Sequence, residues 1–416
     1  MLSGCIERTI PVHTAIEMAK AMCLEHGLII EMDEYGDELK TTVCNLRTKS
    51  GKTYAGKGKG LGEQSVASAL FEAIEHYFYH IDKSLNAGIC APLRLSQSDS
   101  PLSEGSPNFE LFPGVTDIPL SRVSYTELLG NRLLEYPAFL TNPEFVSNNS
   151  HEEQFLKTTR VRRYSTNSGT ASGTCLDEAI LHALLELIER DALGLELLRT
   201  VFRSSPEPVR IVDLTTLPES ILSVCKLAER ETNATIRLFD LGTDIGVPAF
   251  LVELRVKNVI NSGYFGSGAS LSIEYAIERA TLEAVQGFHV YKHMFDRKPI
   301  EKPSHTNRLT KFQSCLLEYG IFDYRGGETN LTFEELLETY TQTAYCSPSQ
   351  QIDLLVRKLG ACGVDAYSRV IHEGKVFICQ VVAPKLERFF LISEGLVLAP
   401  GGRGRSVIGA SKTHNE

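Results

Sequence analysis

Between Leu176 and Arg199 the apolar residues Ala179, Leu181, Leu184, Leu185, Leu187, Ile188 and Leu193 recur at steps of three and four, the period of a helix. Asp177 and Glu178 open this stretch with the negative charge that suits a helix N-terminus. At about 100° per residue, Glu178, Glu186 and Glu189 leave the helix in nearly one direction. Glu186 is flanked by leucines at 184, 185 and 187, so the acidic stripe crosses an apolar neighbourhood. An ionised carboxylate in such surroundings needs a cation or a hydrogen-bond donor beside it. A structural ion-pair network gives the same look, so one helix alone does not decide the matter.

The same hydrophobic patterning predicts the other elements. A helix spans 12–25, followed by strands in LIIEMDEY and TTVCNLRT. EQSVASALFEAIEHYFYH forms a second helix that ends near His80. Residues 91–120, rich in Pro, Ser and Gly, read as an irregular crossing, and LLEYPAFL as a strand. VRIVDL and TIRLFDL read as strands on either side of a helix at 219–232, and IRLFDLGTDIGVPAFLVELRV as a hairpin turning at Gly242 and Gly246. ASLSIEYAIERATLEAVQGFHVY is a third long helix. FEELLETYTQTA and SQQIDLLVRKLGACG add two more, before strands in VDAYSRVI and KVFICQVVAPKLE. The expected fold is α/β, with mixed sheets and packed helices in one large domain over 1–400, and sheet-to-helix loops carrying the site. Residues 401–416 have the composition of a flexible tail.

The acidic helix recurs. A glycine-rich stretch at 56–62 runs into the helix bearing Glu72 and Glu75, three residues apart. Another at 263–268 runs into the helix bearing Arg279 and Glu283, four apart. The central helix follows the small polar run 165–174. Read as loops, such stretches suit phosphate, because unpaired N–H groups and the helix dipole both favour an anion there. Carboxylates alone would repel a triphosphate, and magnesium, held by carboxylates together with phosphate oxygens, is the natural intermediary. The GxxxxGK[ST] signature is missing, so the pattern predicts a nucleotide site of another design, with more than one Mg2+.

Composition narrows the function classes. A net charge of −10 and a pI near 5.7 argue against general nucleic-acid binding. No apolar run approaches membrane-spanning length and the first residues lack a signal-peptide layout, so a cytoplasmic protein without membrane association is expected. Ten cysteines with no CxxC predict reduced, mostly buried thiols and no structural zinc site. His76 with His80, and His289 with His293, are four apart, but no HExxH or third-ligand pattern accompanies either pair, so they read as exposed or hydrogen-bonded histidines.

NSGTASGTCLDEAILHALLELIERDA resembles the signature of the YcaO family, SALFEAIEHY its first acidic helix, and GSGASLSIEYAIERATLEAVQ its third block. The blocks fall in the family's order. The resemblance implies that Glu72, Glu75, Glu186, Glu189 and Glu283 face magnesium, and that Glu178, Arg190 and Arg279 contact the nucleotide, with Lys59 and Thr174 as further nucleotide-side candidates. Arg279 and Glu283 stand closest to the expected chemistry. Thr174 occupies a position where the family often has asparagine, and Ser168 replaces the second asparagine of its NSN; both substitutes still donate and accept hydrogen bonds. Arg8 falls where the family often has a phosphate-reaching basic residue, but the local match is short and it reads as a surface arginine.

The family resemblance implies ATP- and Mg2+-dependent O-phosphorylation of a backbone amide in a ribosomally made precursor peptide. Attack by a neighbouring Cys, Ser or Thr then gives an azoline, attack by sulfide a thioamide, and attack by an amine an amidine. Cyclodehydration is favoured by its frequency in the family. Azoline-forming members commonly finish in a proline-rich sequence, whereas no Pro follows Pro400 here, which keeps thioamidation as the alternative. A separate leader-recognition or partner protein is expected to deliver the peptide, and a homo-oligomer is compatible with the sequence. From a different class, an inactive scaffold or activator of a modifying complex predicts damaged acidic pairs, which are not seen.

Overall fold

A computed structural model describes residues 7–82, 91–92, 119–159, 161–257, 263–294, 326–341 and 346–409. Helix α1 (Val12–Glu25) precedes an antiparallel meander, β1 (Ile29–Tyr35), β2 (Leu39–Arg47) and β3 (Thr53–Leu61), which feeds into α2 (Glu63–Ile81). The short β4 (Ala91–Pro92) and β5 (Pro119–Leu120) pair with each other, and the hairpin β6 (Arg122–Glu127) and β7 (Leu133–Pro137) follows. After α3 (Ser150–Thr159), β8 (Thr170–Gly173) leads into α4 (Leu176–Leu197). Then come β9 (Val209–Val212), α5 (Glu219–Thr232), the hairpin β10 (Ala234–Asp240) and β11 (Ala249–Val256), and β12 (Gly263–Ala269), which leads into α6 (Ile273–Met294). The last described elements are β13 (Glu328–Leu331), α7 (Phe333–Thr339), α8 (Pro348–Ala361), β14 (Tyr367–His372), β15 (Phe377–Val382) and α9 (Gly402–Ile408).

Besides the meander there are two five-stranded sheets. One has the order β12-β11-β10-β9-β13 and is antiparallel except where β13 joins β9. The other has the order β7-β6-β14-β15-β8 and is antiparallel throughout. The expected α/β class with mixed sheets holds. Helix starts follow local chemistry: Thr332 and Ser347 cap α7 and α8, each in a reciprocal pair with the Glu335 or Gln350 three residues on.

The glycine-rich stretches depart from the sequence reading. Residues 56–61 and 263–268 are not loops but the edge strands β3 and β12. Their alternate glycines let the following helix lie directly on the strand. A Cβ at Gly58 would meet the Ser65 carbonyl oxygen at 1.9 Å and the Ala69 nitrogen at 2.2 Å, and one at Gly266 would meet the Ala284 nitrogen at 2.1 Å. The absent side chains therefore serve close strand-to-helix packing rather than a phosphate cradle. Edge strand β8 precedes α4 in the same way, so β3–α2, β8–α4 and β12–α6 repeat one arrangement, each in a different sheet.

Helix α4 is central: 16 of its 22 residues are buried. It packs with α8 and β15 around Leu181, Leu184, Leu185, Leu355 and Val381, and its C-terminal part joins a second core with Phe389, Phe390 and Leu391. The flexible tail expected from residue 401 is corrected over its first part. There α9 docks through Arg403, which pairs with Asp191 at 2.9 Å and Asp244 at 2.6 Å, and the N–H groups of Gly401 and Gly404 donate to Glu387 at 2.9 Å. Glycine content read as disorder instead allows this close approach. Residues 410–416, and nearly all of the 91–120 crossing, lie outside the described residues.

Seven cysteines fall within the described residues; all are free, and Cys23, Cys44, Cys225 and Cys379 are buried. His76 sits 2.6 Å from the Ala55 carbonyl and His289 is 3.0 Å from the Thr41 hydroxyl, as hydrogen-bonded histidines should be. No helix among the described residues is long and apolar enough to cross a membrane.

Candidate functional site

The three edge-strand-to-helix units turn their acidic residues toward one another. On α2, Glu72 accepts a hydrogen bond from the Lys57 N–H at 3.2 Å, and Glu75 lies where the charges of Glu72 and Glu186 both reach it. On α4, Glu186 accepts from the Gly169 N–H at 3.1 Å and stands 3.9 Å from the Arg190 guanidinium. Glu189 is buried and accepts from the Ser267 hydroxyl of β12. On α6, Glu283 forms an ion pair with Lys59 of β3, and Arg279 lies 3.6 Å from Glu7. The expected residues thus form a connected set: Glu75 feels Glu186, Glu186 feels Glu189 and Glu283, and Arg279 feels Glu189 and Glu283.

Electrostatics follow from that crowding. Burial, then the charges of Glu186 and Glu72, push Glu75 well above the usual carboxylate range. Burial also raises Glu72 and Glu186; for Glu186 the opposing help of Arg190 and the Gly169 N–H does not offset burial, to which the charges of Glu189 and Glu283 add. Glu283 goes the other way: burial pushes it up, but Lys59, Arg190 and Arg279 outweigh that and hold it below its ordinary value. Like charges converge here without enough cations among the side chains to balance them.

Among the described residues, no three His, Cys, Asp or Glu side chains stand together at metal-ligating distance. The carboxylates have instead turned to protein donors, as mutual repulsion requires. Their chemistry nonetheless fits a hard divalent cation, since every donor is a carboxylate oxygen and the excess negative charge is what such an ion relieves.

Glu178 lies farther along the α4 stripe. It accepts from the Thr9 N–H and hydroxyl, and from the Thr174 N–H and hydroxyl at 2.9 and 2.8 Å. Burial raises its pKa, but these four bonds outweigh it and hold the carboxyl below its ordinary range. Thr174 thus orients Glu178 from both its backbone and its side chain. Arg8 is only 4.0 Å from Glu178, so it belongs to the site's edge rather than to an unrelated surface.

Sequence reasoning passed over Glu7, Thr9, Ser267 and His182. Thr9 sits 169 residues before Glu178 and Glu7 sits 263 before Ser270, and no local period reveals such contacts. His182 was legible, since it lies four residues after Glu178 and four before Glu186 on the same helix. Next to the acidic set, Thr166, Ser168, Arg190, Arg388 and Phe390 line a pocket that reaches the end of β15. There Arg190 lies over the Phe390 ring at 5.5 Å.

Comparison with known proteins agrees with this fold. The family model for the YcaO cyclodehydratase, ATP- and Mg2+-binding, matches residues 55–387. An uncharacterized protein of Methanothermobacter thermautotrophicus is 27% identical over 343 residues, covering 81% of this chain and 82% of its own length. An uncharacterized protein in the tfuA 3' region of Rhizobium leguminosarum bv. trifolii is 37% identical over 98 residues, 23% of this chain and 22% of its own. Among solved structures, YcaO from Methanopyrus kandleri bound with AMPPCP and Mg2+ superposes with a TM-score of 0.65 at 17% identity, covering 94% of this chain and 95% of that one. A heterocyclase in complex with substrate and cofactor gives 0.62 at 18% identity, covering 92% of this chain and 54% of that one. The E. coli microcin synthetase McbBCD complex gives 0.55 at 15%, covering 86% and 88%. At these identities the structural likeness is one of fold. Because the family model spans the three acidic helices and most of the sheets that carry them, the chain belongs to the YcaO family.

Proposed function

We propose that this chain is an ATP- and Mg2+-dependent enzyme that O-phosphorylates backbone amides of a ribosomally made precursor peptide, and that its reaction is cyclodehydration of Cys, Ser or Thr to azolines. The observation that carries the reading is the convergence of five carboxylates from α2, α4 and α6 with Lys59, Arg190 and Arg279 in one half-buried site. In this reading Glu72, Glu75, Glu186, Glu189 and Glu283 hold the magnesium ions, while Lys59, Thr174, Glu178, Arg190 and Arg279 hold the nucleotide. Bound Mg·ATP supplies the phosphoryl group that turns an amide oxygen, otherwise a poor leaving group, into departing phosphate.

The side chains have a positioning and charge-balancing task. Arg279 and Lys59 offset negative charge on the phosphoryl oxygens, and Thr9 and Thr174 fix the Glu178 carboxylate in its ionised form. The neighbouring thiol or hydroxyl of the peptide supplies the nucleophile, and the carbonyl oxygen it displaces leaves with the phosphate. A protein nucleophile is not required. The heterocyclase is in complex with substrate and cofactor, and the E. coli microcin synthetase is a complex, McbBCD, which supports a bound substrate and a separate delivery partner for this chain as well.

Thioamidation is the second reading, since activation of the amide oxygen is the same whichever nucleophile attacks. Incubating the chain with ATP, Mg2+, its partner and a candidate precursor, followed by intact-mass measurement, separates the readings. Loss of one water per event supports ring closure, exchange of oxygen for sulfur supports a thioamide, and an unchanged mass without ATP consumption supports a scaffold.

A further inference from the structure

Resting on the ATP-dependent reading above, we propose that His182 is a further nucleotide-binding residue whose imidazole donates a hydrogen bond to a phosphoryl oxygen of the bound triphosphate. His182 is half-buried on α4, one turn after Glu178 and one turn before Glu186, so it leaves the helix on the acidic stripe.

Three cations from separate stretches of chain act on this ring: Arg279 of α6, Arg8 of the N-terminal segment and Lys59 of β3. Cations brought together around one point hold an anion there, and the field they create is strongest where water is displaced. Burial and these same cations keep the imidazole neutral, leaving one nitrogen as donor and the other as acceptor.

The neighbours along the stripe are engaged by the protein: Glu178 by Thr9 and Thr174, Glu186 by the Gly169 N–H. Among the described residues His182 has no hydrogen-bond partner, although its neighbourhood is rich in donors and acceptors. Its ring nitrogens are not sealed from solvent, so a ligand entering the site can reach them. A phosphoryl oxygen beside the ring satisfies its N–H, which gives His182 a role that packing does not.

Titration calorimetry with ATP and Mg2+ on the full chain tests this, comparing the wild type with His182→Ala, His182→Leu and His182→Gln. Loss of a hydrogen bond to a charged oxygen predicts affinity weakened about tenfold or more in the Ala and Leu variants, with most of it restored by Gln, which keeps an N–H donor. Affinities equal to wild type in all variants would overturn the assignment, as would equal weakening by Leu and Gln, which marks a packing role. If the Ala variant does not fold, the Leu-to-Gln comparison alone decides. A wild-type chain that binds no ATP would instead overturn the ATP-dependent reading itself.

Discussion

Lys59 on β3 and Glu283 on α6 form an ion pair between residues 224 apart in the sequence, so the first and third acidic units meet through one charged contact. Both side chains are partly exposed, at 21% and 28%, and such pairs add little to stability. Glu283→Gln is therefore expected to leave the melting temperature nearly unchanged while weakening Mg2+-dependent ATP binding at least tenfold. Lys59→Met is expected to weaken it less. Calorimetric titration with ATP at several Mg2+ concentrations, alongside thermal melts, measures both effects.

Gly58 is a packing residue. Alanine there would drive a methyl group into the backbone of α2, with the Ser65 carbonyl at 1.9 Å. The expected cost is about 2–4 kcal/mol, because two backbones have to separate. Gly360, inside α8, has open space around its missing Cβ and ordinary helical backbone, so alanine there costs nothing and gains about 1 kcal/mol of helix propensity. Chemical denaturation of the two variants gives the comparison, and equal losses would contradict the packing argument.

Thr174→Val removes a hydroxyl donor from the buried Glu178 carboxylate and is expected to cost about 1–2 kcal/mol at neutral pH. The folded-state pKa of Glu178 is lowered, so its contribution is present above the unfolded value, about 4.3, and is lost as pH falls through the folded value. The stability gap between wild type and variant should therefore narrow on acidification. Urea unfolding at neutral and acidic pH checks it; a gap that widens in acid would contradict the assigned hydrogen bond.

Arg403 clasps the fully buried Asp191 and the more exposed Asp244, fastening α9 to the middle of the fold. Arg403→Ala leaves a buried carboxylate without its partner, which typically costs about 3–5 kcal/mol. Asp191→Asn in the same chain should recover part of that loss, and melts of the single and double variants show whether it does.

Glu387, beside Asp191, has its pKa pushed up to about 7 by burial and by Asp191, against the pull of the Gly401, Gly404 and Arg388 N–H groups. A raised carboxyl pKa has the opposite sign to Glu178. The unfolded chain loses this proton first, so stability falls as pH rises from the ordinary carboxyl value toward about 7. Glu387→Gln should flatten the stability profile across that window, measured by denaturant midpoints at a series of pH values.

The helical and strand periods in the chain were enough to place most elements, because local patterning of apolar residues reflects which face each element buries. The helix at 219–232 and the hairpin that turns at Gly242 and Gly246 appear where the sequence puts them. The acidic residues were equally legible, since Glu186 and Glu189 on a leucine-rich helix are conspicuous without any partner in view. Glycine misled twice: Gly58 and Gly266 looked like loop residues because composition cannot distinguish a turn from a strand on which a helix must lie. The tail misled for the same reason, since only the docked Glu387 and Asp191 explain its glycines and arginine.

The sequence by itself determined the three acidic helices and the spacing that lines carboxylates along each of them, both local consequences of helix geometry, and its motifs carried the resemblance to the YcaO family. Only the tertiary structure decided which stripes face one another, that Thr9 reaches Glu178, that Lys59 reaches Glu283, and that His182 stands among three cations. Those relationships join residues far apart in the chain, and they are set by how three sheets and their covering helices pack, a long-range balance of burial and charge that no local pattern encodes.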